Sequence, residues 1–317
     1  MIPNCMRAAV AAATLILCPS ANPAMFGASA TDGQPTYTFM TLSVPAAVNT
    51  DAWDINNDGV IVGHFVSDGV THGFVRIPDG TYYTIDVPGA VFTQATTINE
   101  RNEIAGTYRF ANDPLLHAYL RDIDGNFFNI DVPDATSSLP RGSNKHDDVV
   151  FEAIVAGHTT AYLRSNGGYL NIEPSAAFAT APVTFSYASG VNKHGAVVGR
   201  YDTSGTGARG FLLDGISQSH SDDAYTTLHF PNAASSAALG INKKGVIVGG
   251  YTKDGVRHGY VLVDEQYTTL DVPGCSSPIV AGAMTCTTPR KINDAGQIVG
   301  FYGAGGNIVR GFLATPQ

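Results

Sequence analysis

The chain has 317 residues, 44% of them apolar and only 14% charged, with 35 glycines and a net charge of −9. That balance excludes a polyanionic partner such as nucleic acid, because no basic stripe offsets the negative charge. It also disfavours long solvent-exposed helices and suits many tight turns and short strands.

Residues 1–30 differ from the rest. Arg7 precedes an apolar run from Ala8 to Leu17, and a small-residue stretch ends in Ala28-Ser29-Ala30. This is the pattern of a secretory signal with cleavage after Ala30. The run is shorter than the roughly 20 residues a bilayer span needs, and nothing later comes closer. Leu17 directly before Cys18 is a poor match to a lipoprotein cleavage site. Residues 31–317 are expected as one exported propeller domain, secreted or periplasmic and monomeric, with 17 Lys and Arg against 27 Asp and Glu. Of the two cysteines that remain, Cys275 and Cys286 lie eleven positions apart in a non-repeating insertion, and an oxidising compartment would pair them.

From there the chain repeats. An Ile/Val-Asn-x-x-Gly-like unit places its asparagine at Asn56, Asn99, Asn144, Asn192, Asn242 and Asn293, with spacings of 43 to 51 residues. A period of that length filled with short strand patterns points to an all-β propeller. In the second unit the four strand segments are Phe92 to Asn99, Glu103 to Phe110, His117 to Arg121 and Phe127 to Val132. Turns such as Asn57-Asp58-Gly59, Asp124-Gly125 and Asp254-Gly255 join such segments into hairpins.

The third segment recurs six times, from His72-Gly73-Phe74 through His117-Ala118-Tyr119, Thr160-Ala161-Tyr162, Arg209-Gly210-Phe211 and His258-Gly259-Tyr260 to Arg310-Gly311-Phe312. The fourth, as in Ile85-Asp86-Val87-Pro88, recurs only five times after its third, while an orphan copy, Phe39 to Pro45, opens the domain. Pairing that strand with the last unit gives six four-stranded blades and a closed ring without free edges. A glycine in the second segment, at Gly63, Gly106, Gly157, Gly199, Gly249 and Gly300, is expected to mark close approach between blades.

The combination of Ile-Asn-x-x-Gly, an Ile-Val-Gly-x-Tyr strand, a His-Gly-Phe strand and an Ile-Asp-Val-Pro ending resembles the extracellular HAF repeats of bacteria. Ile292 to Gly300 is a close match, and the third unit, Ser143 to Asp148, is degenerate. The resemblance implies a secreted or surface-exposed repeat protein without an established catalytic role.

Candidate chemistry is sparse. Asp54-Ile55-Asn56-Asn57-Asp58-Gly59 matches the front of a calcium loop, but basic residues stand at the corresponding turns of other units, so the asparagine reads as a cap of its own turn. The third-segment histidines lie a blade apart and cannot converge. His146-Asp147-Asp148 and His220-Ser221-Asp222-Asp223 read as solvated loops. No metal site, cofactor or catalytic residue is assigned, since no nucleophile or phosphate-loop motif appears.

Comparison between repeats is sharper. Four residues before the repeat asparagine stand Ala52, Ala95, Pro140, Ala188, Ala238 and Pro289, uniformly small, as packing between blades requires. Three and five before, the residues vary, and alternation along a strand turns both sets toward the central channel. From these sets Asp51, Trp53, Gln94, Arg141, Tyr187 and Arg290 are the candidate ligand-binding residues at the channel mouth, suited to a carbohydrate or protein ligand. Two other readings stand beside this one: a hydrolase or lyase acting on a polysaccharide or lactone through Asp68, Asp113, Asp202 and Asp254, and a purely structural repeat whose mouth is plugged by Trp53, Tyr187 and the Cys275 to Cys286 loop.

Overall fold

The computed structural model describes residues 36–215, 224–275 and 283–317, together with short strand fragments at Leu15–Ile16, Met25–Gly27 and Ile279–Val280. Ala30 and the loop containing His220 lie outside the described residues. Nearly every element is a strand of three to nine residues; the one α-helix among the described residues is the single turn Ala176–Ala179, capped by Ser175. No helix among them is long and apolar enough to cross a membrane.

The strands form antiparallel four-stranded meanders, the blades of an all-β propeller. In the second repeat they are Phe92–Ile98, Ile104–Arg109, His117–Arg121 and Phe127–Asn129, each within a few residues of the segment read from sequence. The hydrogen-bonded sheets number five, because the first two meanders merge into one nine-stranded sheet through a single parallel pair, Thr71 with Phe92. The orphan strand Tyr37–Leu42 pairs with the last strand, Val309–Pro316, in the register Gly311 with Leu42 to Pro316 with Tyr37. The sixth repeat thus takes its fourth strand from the other end of the chain.

The recurring asparagine fixes each inner turn. Asn293 Oδ1 accepts from the backbone N–H of Ala295 (3.1 Å) and of Gln297 (2.9 Å), and the same pair of bonds recurs at Asn56, Asn192 and Asn242. The amide nitrogen does something the spacing alone does not reveal: it donates to the backbone carbonyl of the next repeat's asparagine. These bonds run from Asn144 to Asn192, from Asn192 to Asn242, from Asn242 to Asn293 and from Asn293 to Asn56 at 3.1–3.2 Å, with a longer one from Asn56 to Asn99. Asn99 breaks the series by donating to Glu103 Oε2, and Arg101 bridges that step by reaching the Lys145 carbonyl.

Close packing follows two glycine sets. The second-strand glycine lies under the aromatic ring of its own third strand: a Cβ on Gly63 would sit 2.7 Å from Phe74, and one on Gly199 would sit 2.6 Å from Phe211. The neighbour expected from sequence is therefore in the same blade, not the adjacent one. In the third repeat the position is Phe151, opposite Pro140, and Gly157 falls in the following turn with φ of 79°. Contact between blades occurs one strand further out, where Gly259 faces Pro289 and Gly210 faces Ala238. The small residues four before each asparagine are thus held small by the preceding blade. Phe74, Tyr119, Phe211, Tyr260 and Phe312 are fully buried in these layers.

Replacing Asn293 by alanine removes the caps of its turn and its bond to the next repeat, whereas Asn99→Ala removes caps but no such bond. Thermal or urea unfolding should show Asn293→Ala as the more destabilising, by about 1 kcal/mol. Equal losses would mean that the inter-repeat bond contributes nothing.

Candidate functional site

Every innermost strand carries a β-bulge at the residue three before the asparagine: the register breaks around Trp53, Thr96, Arg141, Ser189, Leu239 and Arg290. A bulge sets two consecutive residues against one partner and re-aims the side chains that follow. This repeated irregularity gives the channel two polar layers instead of one.

At the strand-entry mouth, five of the six residues chosen from sequence come together. Arg290 Nη2 donates to Asp51 Oδ2 at 2.9 Å, and its guanidinium carbon lies 3.8 Å from the centroid of the Trp53 ring. Arg141 lies over Tyr187 at 4.5 Å and over Trp53 at 5.7 Å. Trp53 and Tyr187 are 8% and 7% exposed, so the rings are covered by arginines rather than open to solvent. Gln94 stands apart: its side-chain oxygen accepts from its own repeat's Thr107 at 3.5 Å.

The second strand adds residues that comparison of first strands alone passes over. Opposite Asp51, Gln94, Leu139, Tyr187, Ala237 and Thr288 stand His64, Thr107, Glu152, Arg200, Gly250 and Phe301. Glu152 takes the ion pair with Arg141, Arg200 binds Asp202 through two nitrogens at 2.8 and 2.6 Å, and Phe301 supports Arg290. Burial pushes the His64 imidazole below its usual range, against the attraction of Asp51 and with the repulsion of Arg290. The variable position after the second-strand glycine carries this signal.

Two residues before each asparagine lies the deeper layer. There Gly142, Gly190 and Gly240 bring adjacent inner strands into backbone contact, and a Cβ on Gly240 would sit 2.8 Å from the Lys291 Cα. Lys291 crosses this waist, donating from Nζ to the carbonyls of Ser189 (2.7 Å) and Leu239 (3.0 Å). Burial pushes its ammonium down to about 8, with Asp54 opposing and Arg290 and Arg141 adding to the shift. Asp54 accepts from Thr97 Oγ1, Ile98 N and Ile55 N, while burial raises its carboxyl above the ordinary range. Asp54 therefore serves the waist and not a calcium loop. Beyond it, on the face of the asparagine turns, a cavity of about 250 Å3 has Asp54 and Lys291 among its walls.

The other candidates are dispersed. His72, His117 and His258 each bond the fourth-strand acid of their own blade, Asp86, Asp131 and Asp271, at 2.6–2.8 Å. Asp113 is held by His117 and Asp202 by Arg200, and Asp68 and Asp254 sit in turns with positive φ. His258, Asp271 and Cys286 come within 4.8 Å of one another, but the sulfur is bound to Cys275 in the expected disulfide, with Cα atoms 5.2 Å apart.

No family model matches the chain. No curated protein matches it in sequence either. Among solved structures it is similar to TolB from Acinetobacter baumannii, with a TM-score of 0.50 and 13% identity over 73% of this chain and 57% of that one. It is equally similar to an acylaminoacyl peptidase from Pyrococcus horikoshii, with a TM-score of 0.50 and 9% identity over 96% of this chain and 52% of that one. The fucose-specific lectin from Aleuria aurantia follows at 0.48 and 10% identity, over 87% and 97%. The chain spans little more than half the length of the first two. At these identities the likeness shows the propeller fold alone.

The folded protein holds the Lys291 proton less tightly than the unfolded chain, whose value is near 10.5. Between about pH 8 and pH 10.5 the unfolded state binds more protons, so this group favours folding increasingly as the pH rises. Relative to Lys291→Met, the wild type should gain up to about 3 kcal/mol across that window in urea titrations. A difference independent of pH would show that the buried amine is not depressed.

Proposed function

We propose that the protein is an exported, non-catalytic binding propeller of six blades closed into a ring, related to the HAF-repeat proteins, that takes a carbohydrate or protein ligand at the strand-entry mouth of its channel. Six meanders can be traced, the first two within one merged sheet; the strand exchange at Tyr37–Leu42 and the Asn293 to Asn56 bond support closure. The disulfide and the leader-like first 30 residues support export.

One observation carries the binding reading over a structural plug. Trp53 and Tyr187 do fill much of the mouth, yet the buried polar atoms there are not satisfied by one another. Asp51 Oδ1, Trp53 Nε1, His64 Nδ1, Thr288 Oγ1 and Arg290 Nε are buried without a hydrogen-bond partner. A plug selected for stability would pair such groups, because each one left unpaired costs about 1–3 kcal/mol. Sites that hold a ligand keep them. Of the alternative catalytic acids, by contrast, Asp113 and Asp202 are paired within their own blades, and Asp68 and Asp254 sit in separate turns.

A thermal-shift screen of glycans and peptides on the mature chain tests this reading. Hits should be lost in Trp53→Ala and Arg290→Ala. Hits that both variants retain unchanged would remove the mouth as the site.

A further inference from the structure

Charge at this mouth does not balance. Arg290 is paired with Asp51, Arg141 with Glu152 and Arg200 with Asp202. Arg257 is left over, with no ion pair or hydrogen bond to its guanidinium among the described residues and with Nε buried. Burial acts most strongly against its charge, Tyr187 and Tyr260 act in its favour and the guanidinium groups of Arg290 and Arg200 against it, with no carboxylate among these neighbours.

The fifth blade is shaped to admit it. Where the other blades set pairs such as Asp51 with His64 or Tyr187 with Arg200 across the first two strands, this one sets Ala237 with Gly250. Arg257, on the third strand, fills the space: a Cβ on Gly250 would sit 3.0 Å from its Nε and its Nη2. This third-strand side chain thus lies over the one position of the second-strand set, His64, Thr107, Glu152, Arg200, Gly250 and Phe301, that has no side chain.

Resting on the mouth being the binding site, we propose that its ligand is a hydroxy acid, a uronic acid in the case of a sugar, whose carboxylate is received by Arg257. The unpaired groups fit both ends of such a molecule. Trp53 Nε1, Arg290 Nε and Arg257 Nε can only donate, which suits carboxylate oxygens, and Asp51 Oδ1 can only accept, which suits a hydroxyl. Neutral sugars would leave the odd arginine uncompensated.

The test is isothermal titration of the mature chain with D-galacturonate and D-glucuronate, with D-galactose and D-glucose as neutral counterparts, and with glycolate and D-lactate as hydroxy acids that are not sugars. Binding by one or more of the acids, about tenfold or more weaker in Arg257→Gln and partly restored in Arg257→Lys, is the expected result. Uronates binding alone would assign a sugar acid, and glycolate or lactate binding as well would assign the hydroxy-acid group itself. Gly250→Ala, which leaves the arginine in place but displaces it, should weaken binding too. Without ligand, Arg257→Gln should unfold at a temperature no lower than the wild type, so loss of binding is not loss of fold. Neutral sugars binding as tightly as their acids, acids bound equally by Arg257→Gln, or no acid bound at all would overturn the anion site. Neutral-ligand binding lost in Trp53→Ala but kept in Arg257→Gln would overturn it while sparing the mouth; acid binding indifferent to Trp53→Ala and Arg290→Ala would remove both.

Discussion

An asparagine carboxamide is both an acceptor and a donor, and this propeller uses the two ends for different jobs. The oxygen closes a local turn, which any good turn residue could do. The nitrogen spans to the next repeat and fastens one inner strand to its neighbour. Aspartate would keep the first function and lose the second, which is a physical reason for the same amide to stand in all six units. Where Asn99 turns its nitrogen to Glu103, Arg101 takes over the link from the same turn.

With the inner turns tied together, the bulge above each of them decides what the channel contains. Strict alternation would send only every second residue inward. The extra residue re-aims the strand so that Trp53 and Asp54, or Arg290 and Lys291, serve two successive layers. Large aromatic and guanidinium groups occupy the wider layer, and glycines allow the narrow one to close. The arginine–aromatic stacks gain from mutual desolvation, while the amine and carboxylate at the waist are held by carbonyls and hydroxyls.

Much of this architecture was legible in the sequence because identical units must solve identical problems. Turn asparagines, small packing residues and the orphan N-terminal strand could all be read by aligning the copies. Trp53, Arg141, Tyr187 and Arg290 emerged for the opposite reason, that they break the repeat. Asp54 and Lys291 were hidden by parity, since a bulge shifts the face without changing the local composition. Gly157 is not the aligned glycine, because repeat three sets Phe151 where the other repeats have glycine and Gly157 falls in the turn beyond. Arg257 was out of reach for a different reason: its access to the channel depends on what Gly250 lacks.

The pinch formed by Gly142, Gly190, Gly240 and the span of Lys291 also separates two kinds of chemistry along the inner strands. It sets Lys291 between the arginine–aromatic layer on one side and the cavity on the face of the asparagine turns on the other. The cavity framed by the asparagine turns therefore presents a carboxylate and an amine, Asp54 and Lys291, where the other side presents guanidinium groups and aromatic rings. The two sides are nonetheless joined through charge, since Arg290 and Arg141 act on the Lys291 ammonium and a guanidinium lost from the outer layer alters the amine that faces the cavity.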